Sequence, residues 1–435
     1  MDLVCILGGA LSGTWAAKLA IAKGFAVYLT DERPLNNKAE LEALGVRVFD
    51  GGFHQALIHR GFKWVIKNPG IPDAHLFVQA MANQHRIVNE VEFAQHFVPH
   101  WNLIAISGTN GKTTTVEMCG AILKAGTPFG FVGGNVGVPL SKVVYEHPDV
   151  DQADGAIEMA GFMLSNTYDF HPRVATLVSL APDHLDVYPG VEAYYDAKWK
   201  VVKNLRADDY FIFNLDDATI KATYRPHQGQ VITLSQKEAA DVMLVDGKVM
   251  MDGLVLFDVR ELQVLGAHNI TNAMIAAAAA TCLGVKPPVI QKALQAFKGV
   301  EHRIEYVDTI AGIKFYNDSK ATNPESTQVA LQAFEKPVIL IAGGYDKKIS
   351  FDILKAEVHR MKALVVFGQT KQLLKATFPM AHVVDDLQAA LRLAYDLAQA
   401  QDVILFSPAC ASYDQFTNFE ARGRTFKILV KKLHD

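Results

Sequence analysis

At 435 residues the chain is too long for one ordinary core, and two to three domains are expected. Half of the residues are hydrophobic and one fifth charged, the balance of a soluble globular protein. The net charge of −4 offers no basic field for nucleic acid or an anionic membrane, so any phosphate must be bound locally. Cys5, Cys119, Cys282 and Cys410 lie far apart and form no C-x-x-C pair, which indicates neither a disulfide scaffold nor a zinc site and fits a reducing cytoplasm. The amino-terminal run lacks a positive stretch and is broken by Gly8-Gly9, against a signal peptide. The most apolar stretch, 273–283, falls short of the roughly 20 residues that span a bilayer, so no membrane insertion is expected.

The first segment opens with the apolar run 3–7, the loop Gly8-Gly9-Ala10-Leu11-Ser12-Gly13 and a helical run to Lys23; a second strand ends at Asp31. This is a βαβ unit with a degraded G-x-G-x-x-G, which serves a dinucleotide site or a Rossmann-like fold without one. Asp31 is suited to accept from a ribose hydroxyl or a uracil N–H. Residues 64–71 read as a later strand and its turn.

In the second segment, Leu103-Ile104-Ala105-Ile106 leads into Ser107, Gly108, Thr109, Asn110, Gly111, Lys112, Thr113, Thr114. A strand, a glycine loop and a helix start point backbone N–H groups into one concavity, which suits the polyphosphate of ATP or GTP. Lys112 would reach the terminal phosphates and the Thr113 hydroxyl a magnesium ion. Ile106 stands where a standard Walker loop has its first glycine. A second glycine loop, 129–137, contains Asn135. Glu158 closes one expected strand and His184, between Asp183 and Asp186, follows another; together they would hold a second divalent ion. Lys198 shares helical spacing with Tyr194 and Tyr195 and should face inward, whereas Lys200 and Lys203 read as solvated. Residues 241–265 read as a small antiparallel appendage, and an alanine-rich helix runs to Cys282.

The third segment is again α/β, with strands expected near 314–316, 338–342, 363–367 and 403–406. Arg303 sits at its start, where it can swing onto a nucleotide. Asp318 can accept from a ribose, and Lys320 and Thr322 can hold anions, although a turn lysine is more often simply solvated. The runs 343–348 and 407–416 follow strands and so share one carboxyl edge, where a small carboxylate would bind. The fold class is therefore α/β with three domains, 1–97, 98–299 and 300–435. The outer two are Rossmann-like, and the central one is ATPase-like with a mostly parallel sheet.

Taken together, the motifs resemble the muramyl ligases of peptidoglycan synthesis. The likeness runs through Gly-Thr-Asn-Gly-Lys-Thr-Thr, Gly-Gly-Asn-Val-Gly, Asp-His-Leu-Asp, His-Asn-Ile-Thr-Asn, Glu-His-Arg, Asn-Asp-Ser-Lys-Ala-Thr-Asn and Gly-Gly-Tyr-Asp-Lys, in that order. The phosphate loop is shared with folylpolyglutamate synthases. The run 407–416 with Phe419-Glu420-x-Arg422-Gly423 is similar to the D-glutamate-adding branch alone. The resemblance implies that ATP phosphorylates the carboxylate of UDP-N-acetylmuramoyl-L-alanine and that D-glutamate displaces the phosphate. The setting implied is a cytoplasmic monomer in cell-wall biogenesis, with consequences for cell shape and division. It implies two Mg2+ ions held by Thr113, Glu158, His184 and a carbamylated Lys198, with the catalytic work on Lys112, Glu158, His184 and Lys198. Asn269, Asn272, Arg303 and Asp318 would contact ATP, and Ser12, Gly13, Asp31 and Asn135 the UDP-sugar. Thr322, Lys347, Ser412, Tyr413 and Phe419 would contact D-glutamate. One stretch departs: Ala160-Gly161-Phe162-Met163-Leu164 stands where the family has Ser-Ser-Phe-Gln-Leu, a loss of two polar contacts to the acceptor. Another amino-acid ligase of the superfamily, or a non-catalytic nucleotide-binding paralogue, are the alternatives.

Overall fold

The computed structural model describes residues 1–135, 137–183 and 187–434, and three sheets succeed one another along the chain. The first is β1 (Leu3–Leu7), β2 (Ala26–Thr30), β3 (Arg47–Phe49), β4 (Trp64–Lys67) and β5 (Ile87–Val88). Its order is β3-β2-β1-β4-β5 and all its pairings are parallel. Helices cover both faces of such a sheet, which is why Val4, Cys5, Ile6 and Leu7 form an unbroken apolar run with no exposure. The order reverses between β1 and β4, and the carboxyl ends there carry the Gly8–Gly13 loop.

The second sheet holds β6 (Asn102–Ser107), β7 (Gly130–Gly134), β8 (Asp154–Glu158), β9 (Val174–Leu177), β10 (Tyr210–Asn214), β11 (Gln230–Ser235), β12 (Val242–Val245), β13 (Lys248–Met251) and β14 (Leu254–Asp258). Its order is β14-β13-β12-β11-β10-β9-β6-β8-β7. The last three strands are antiparallel to one another, as expected, but they are not a separate appendage. β12 pairs in parallel with β11, Leu234 opposite Val242, and so occupies an edge whose N–H and C=O groups would otherwise go unpaired.

The third sheet holds β15 (Glu305–Ile310), β16 (Ile313–Asn317), β17 (Val338–Gly343), β18 (Met361–Phe367), β19 (His382–Val383) and β20 (Val403–Phe406), in the order β15-β16-β20-β17-β18-β19. Only β15 and β16 pair antiparallel. The four expected strands are β16, β17, β18 and β20. β15 and β19 went unread because they are edge strands with little buried apolar surface to mark them.

By contacts the chain forms two compact units, Met1–Glu261 with Thr271–Gln295, and Leu262–Ile270 with Ala296–Asp435. The first unit holds two sheets because the segment joining them is buried on both sides. Asn89 Nδ2 donates to the Met163 carbonyl at 2.8 Å, the Glu90 carboxylate accepts from the Ser141 N–H, and Trp15 packs on Tyr145 at 5.7 Å. The boundaries at 97 and 299 therefore stand as a proposal based on the sheets, since compactness does not separate residue 97 from the second sheet. Among the described residues no helix is long and apolar enough to cross a membrane.

Candidate functional site

β6 ends at Ser107 and the helix Lys112–Gly126 begins five residues later, so the loop must reverse within four residues. Gly108 makes that possible: its φ is +133°, and a Cβ there would stand 2.9 Å from the Ser179 carbonyl oxygen. The loop is pinned to the end of β9 by Thr109 N–H to Ser179 O at 2.7 Å and Asn110 N–H to Ser179 Oγ at 3.0 Å. Gly111, with φ +83°, caps the helix, and Thr113 and Thr114 are buried in its first turn. The positive end of the helix dipole is thus held beside the loop, which favours an anion there.

Two lysines converge on this loop. Lys112 Nζ donates to the carbonyls of Gly108 and Thr109 at 2.9 and 2.7 Å, and Lys198 Nζ to that of Gly108 at 2.8 Å. Lys198 lies on the helix Val191–Trp199 and is buried, as its spacing suggested. Burial, and then the Lys112 ammonium, push its pKa down to about 7. Across the loop, the buried Glu158 carboxylate accepts from Thr113 Oγ1 at 2.8 Å and from Asn135 Nδ2 at 2.9 Å. Asn135, expected to touch the UDP-sugar, here holds the glutamate. A hydroxyl and a carboxylate at contact distance are a hard oxygen donor set, so these residues fit a magnesium ion. His184 lies outside the described residues.

The departing stretch packs into the interior. Ala160 and Met163 are buried in the apolar core, 4% and 2% exposed, so their side chains do not stand where a ligand would find polar groups. The Tyr188 hydroxyl lies 2.8 Å from where a Cβ on Gly161 would be, so the tyrosine must shift to admit a serine. Met163→Gln should therefore bury an amide without a partner and cost about 1–3 kcal/mol of stability. Chemical denaturation reads the loss. An unchanged midpoint, with a lowered KM for the sugar substrate, would restore the idea of missing ligand contacts.

At the edge of the first sheet, Asp31 is committed to the loop: its carboxylate accepts from the N–H groups of Gly9 at 2.6 Å and Arg33 at 2.9 Å. Gly13 lets the helix Leu11–Ala22 approach β1, since a Cβ there would lie 1.8 Å from the Gly8 oxygen. Ser12 Oγ accepts from Asn68 Nδ2 at 2.9 Å. Sequence reading passed over Asn68, although its place after β4 and before Pro69-Gly70 put it on the same edge.

Of the expected nucleotide contacts, Asn272 belongs to the first unit, where its Oδ1 accepts from Thr115 Oγ1 at 3.2 Å. Asn269, Arg303 and Asp318 belong to the second unit. Asp318 is buried and its pKa is pushed up to about 7 by burial, against hydrogen bonds from Ser407 Oγ at 2.7 Å and Ile304 N–H at 3.2 Å. Between about pH 4 and 7 the folded form keeps a proton that the unfolded form releases. Stability therefore falls as pH rises through that window, and the full cost is present above 7. Asp318→Asn should then melt higher than the natural protein at pH 8, with the gain shrinking toward pH 4; equal melting shifts at both pH values would contradict it.

The second unit also gathers the residues expected at the amino-acid pocket. Thr322, Lys347, Ala409 and Cys410 line one cleft, and Lys347 Nζ donates to the Thr322 carbonyl at 3.3 Å. Ser412 is buried and comes just after this cleft in the chain, while Tyr413 is exposed. Phe419 opens the helix Phe419–Lys431, capped by Asn418, and its ring lies 4.0 Å from Lys320 Nζ, so that turn lysine is not merely solvated. Glu301, His302 and Glu305 bring ligand atoms within 4.8 Å, but Lys427 Nζ already bonds both carboxylates, at 2.6 and 2.8 Å, and offsets part of their charge.

Residues 106–280 match the Mur ligase middle domain and residues 302–410 the Mur ligase glutamate ligase domain. The chain is 36% identical to the UDP-N-acetylmuramoylalanine--D-glutamate ligase of Streptococcus sanguinis (strain SK36), over 99% of this chain and 97% of the relative. It is 37% identical to the enzyme of that name from Latilactobacillus sakei, with the same coverage. Among solved structures, a MurF ligase from Thermotoga maritima in complex with ADP aligns with a TM-score of 0.63 at 16% identity, over 99% of this chain and 95% of that one. The UDP-N-acetylmuramate-alanine ligase of the same organism aligns with a TM-score of 0.60 at 20% identity, over 100% and 99%. At those identities the structural likeness speaks for the fold alone.

Proposed function

The chain belongs to the Mur ligase family, and from that premise we propose that it is an ATP-dependent ligase joining D-glutamate to UDP-N-acetylmuramoyl-L-alanine in peptidoglycan synthesis. The observation that carries the chemistry is the convergence of Lys112 and Lys198 on the Gly108 carbonyl, beside the Thr113–Glu158 pair. The full-length relatives carry the choice of substrates.

In this reading the loop 108–114 holds the phosphates of ATP. Its helix dipole and the Lys112 ammonium face the charge that spreads over the phosphoryl group as it moves to the acceptor carboxylate. Thr113, Glu158, His184 and Lys198 would hold magnesium, which supplies charge neutralisation at the phosphates when bound. Lys198 serves as a carbamate. Its neutral amine nitrogen attacks the carbon of CO2, the π electrons move to oxygen, and a proton leaves. The Ser12 loop, Gly13, Asp31 and Asn135 face the UDP-sugar, with Asn68 fixing Ser12. Asn269, Asn272, Arg303 and Asp318 contact ATP, and Thr322, Lys347, Ser412, Tyr413 and Phe419 contact D-glutamate. The amine of D-glutamate then attacks the acyl carbon and phosphate leaves with the former carboxylate oxygen. We place the enzyme in the cytoplasm as a monomer that serves cell-wall growth, cell shape and division.

The test is phosphate release from ATP with UDP-N-acetylmuramoyl-L-alanine, scanned across D-glutamate, L-glutamate, L-alanine and lysine. Release that depends on D-glutamate supports the reading. Release that ignores it and responds to another amino acid moves the chain to a different branch, and no release with any of them makes it a paralogue.

A further inference from the structure

Arg422 is among the largest fully buried side chains of the protein, with no exposure at all. Its guanidinium makes three hydrogen bonds, all to neutral oxygens: Nε to Ser319 Oγ at 3.0 Å, Nη2 to the Ser319 carbonyl at 2.8 Å and Nη1 to the Ala411 carbonyl at 3.0 Å. Among the described residues no carboxylate hydrogen-bonds it. The acids that feel its charge, Asp318 and Asp414, spend their carboxylates elsewhere, on Ser407 and Ile304 and on the Gln369 N–H. Burial lowers its pKa to about 10, so it stays charged at neutral pH. A buried cation without a counter-ion is costly, and a polar neutral side chain could satisfy the same carbonyls.

The three bonds tie together the segments expected to receive the amino acid. Ser319 precedes Thr322 by three residues, Ala411 precedes Ser412, and Phe419 lies one turn before Arg422 on the same helix. Ser319 Oγ in turn donates to the Phe419 carbonyl at 2.8 Å and closes the network. We propose that Arg422 is the positioning and charge-selecting residue of the amino-acid pocket: it locks the 319–322 turn to the 409–412 loop and leaves behind them a positive charge that an acidic amino acid neutralises and a neutral one does not. This rests on the D-glutamate reading above. The electrostatic part needs no direct contact, because a charge in a poorly solvated interior acts over several ångströms.

The experiment compares the natural protein with Arg422→Gln and Arg422→Lys, measuring KM and kcat separately for ATP, D-glutamate and D-glutamine, with thermal melts as control. Arg422→Gln should raise KM for D-glutamate by about 10-fold or more, leave KM for ATP unchanged, and shrink the preference for D-glutamate over D-glutamine. Arg422→Lys should keep that preference, because the charge remains, while raising KM through the lost fork of hydrogen bonds. If Arg422→Gln does not fold, Arg422→Lys decides alone: a lost preference for D-glutamate overturns the proposal. So does a rise in KM for ATP and D-glutamate together, or an unchanged D-glutamate to D-glutamine ratio in Arg422→Gln. A natural protein that ignores D-glutamate would instead defeat the underlying reading, and is seen before any variant is made.

Discussion

Lys112→Ala is expected to lower turnover by 10²-fold or more, about 2.7 kcal/mol of transition-state stabilisation, by analogy with losing one preorganised charge or donor. The expectation comes from where the ammonium is held. It rests on the Gly108 and Thr109 carbonyls, at the start of the helix Lys112–Gly126, so it needs no long reorganisation to meet phosphate oxygens. Lys112 is half-buried and joins no apolar core, so the loss should appear in kcat with little change in melting temperature. Lys112→Arg should not recover full activity, since a planar fork does not reproduce a compact point charge at this spot. Normal turnover in Lys112→Ala would make the loop a structural turn.

Lys198→Ala should be inactive and partly restored by short-chain carboxylates such as formate or acetate. A carbamate needs a neutral amine, and the depressed pKa of about 7 supplies one at mildly alkaline pH. Carbamylation turns Lys198 from positive to negative, so its repulsion from Lys112 becomes attraction, and a cation bound nearby would favour it further. As pH falls below 7 the amine keeps its proton, and at fixed total carbonate the natural protein should lose activity. Depletion of CO2 should do the same at pH 8. Full activity in CO2-free buffer, with the mass of an unmodified lysine, would defeat the idea.

The phosphate loop was readable because its function and its fold make the same demand. A strand, glycines at positions needing close approach, then Lys and Thr at a helix start, leave one local geometry. Gly108, Gly111, Lys112 and Thr113 are found there. Inward-facing Lys198 was legible from helical spacing with Tyr194 and Tyr195. What it faces was not, because Gly108 is 90 residues away and only the packing of the helix Val191–Trp199 brings them together. The surroundings of the Ala160–Met163 stretch were hidden for the same reason. A substituted serine and glutamine look like lost contacts in one dimension, but burial of Met163 and the place of the Tyr188 hydroxyl are set by neighbours from elsewhere in the chain.

The sequence by itself determined the α/β class, the mostly parallel sheets and the places where chemistry would be found, since apolar runs ending in glycine, asparagine and hydroxyl residues put polar groups at carboxyl edges. The tertiary structure alone decided how the charges are balanced. Asp31 caps the loop after β1, Asn135 and Thr113 hold Glu158, Lys427 bridges Glu301 and Glu305, and the Arg422 guanidinium donates to neutral oxygens. Each of these depends on distances of a few ångströms between residues far apart in the chain. Periodicity and motif report which face of an element is buried, and say nothing about which distant group it meets.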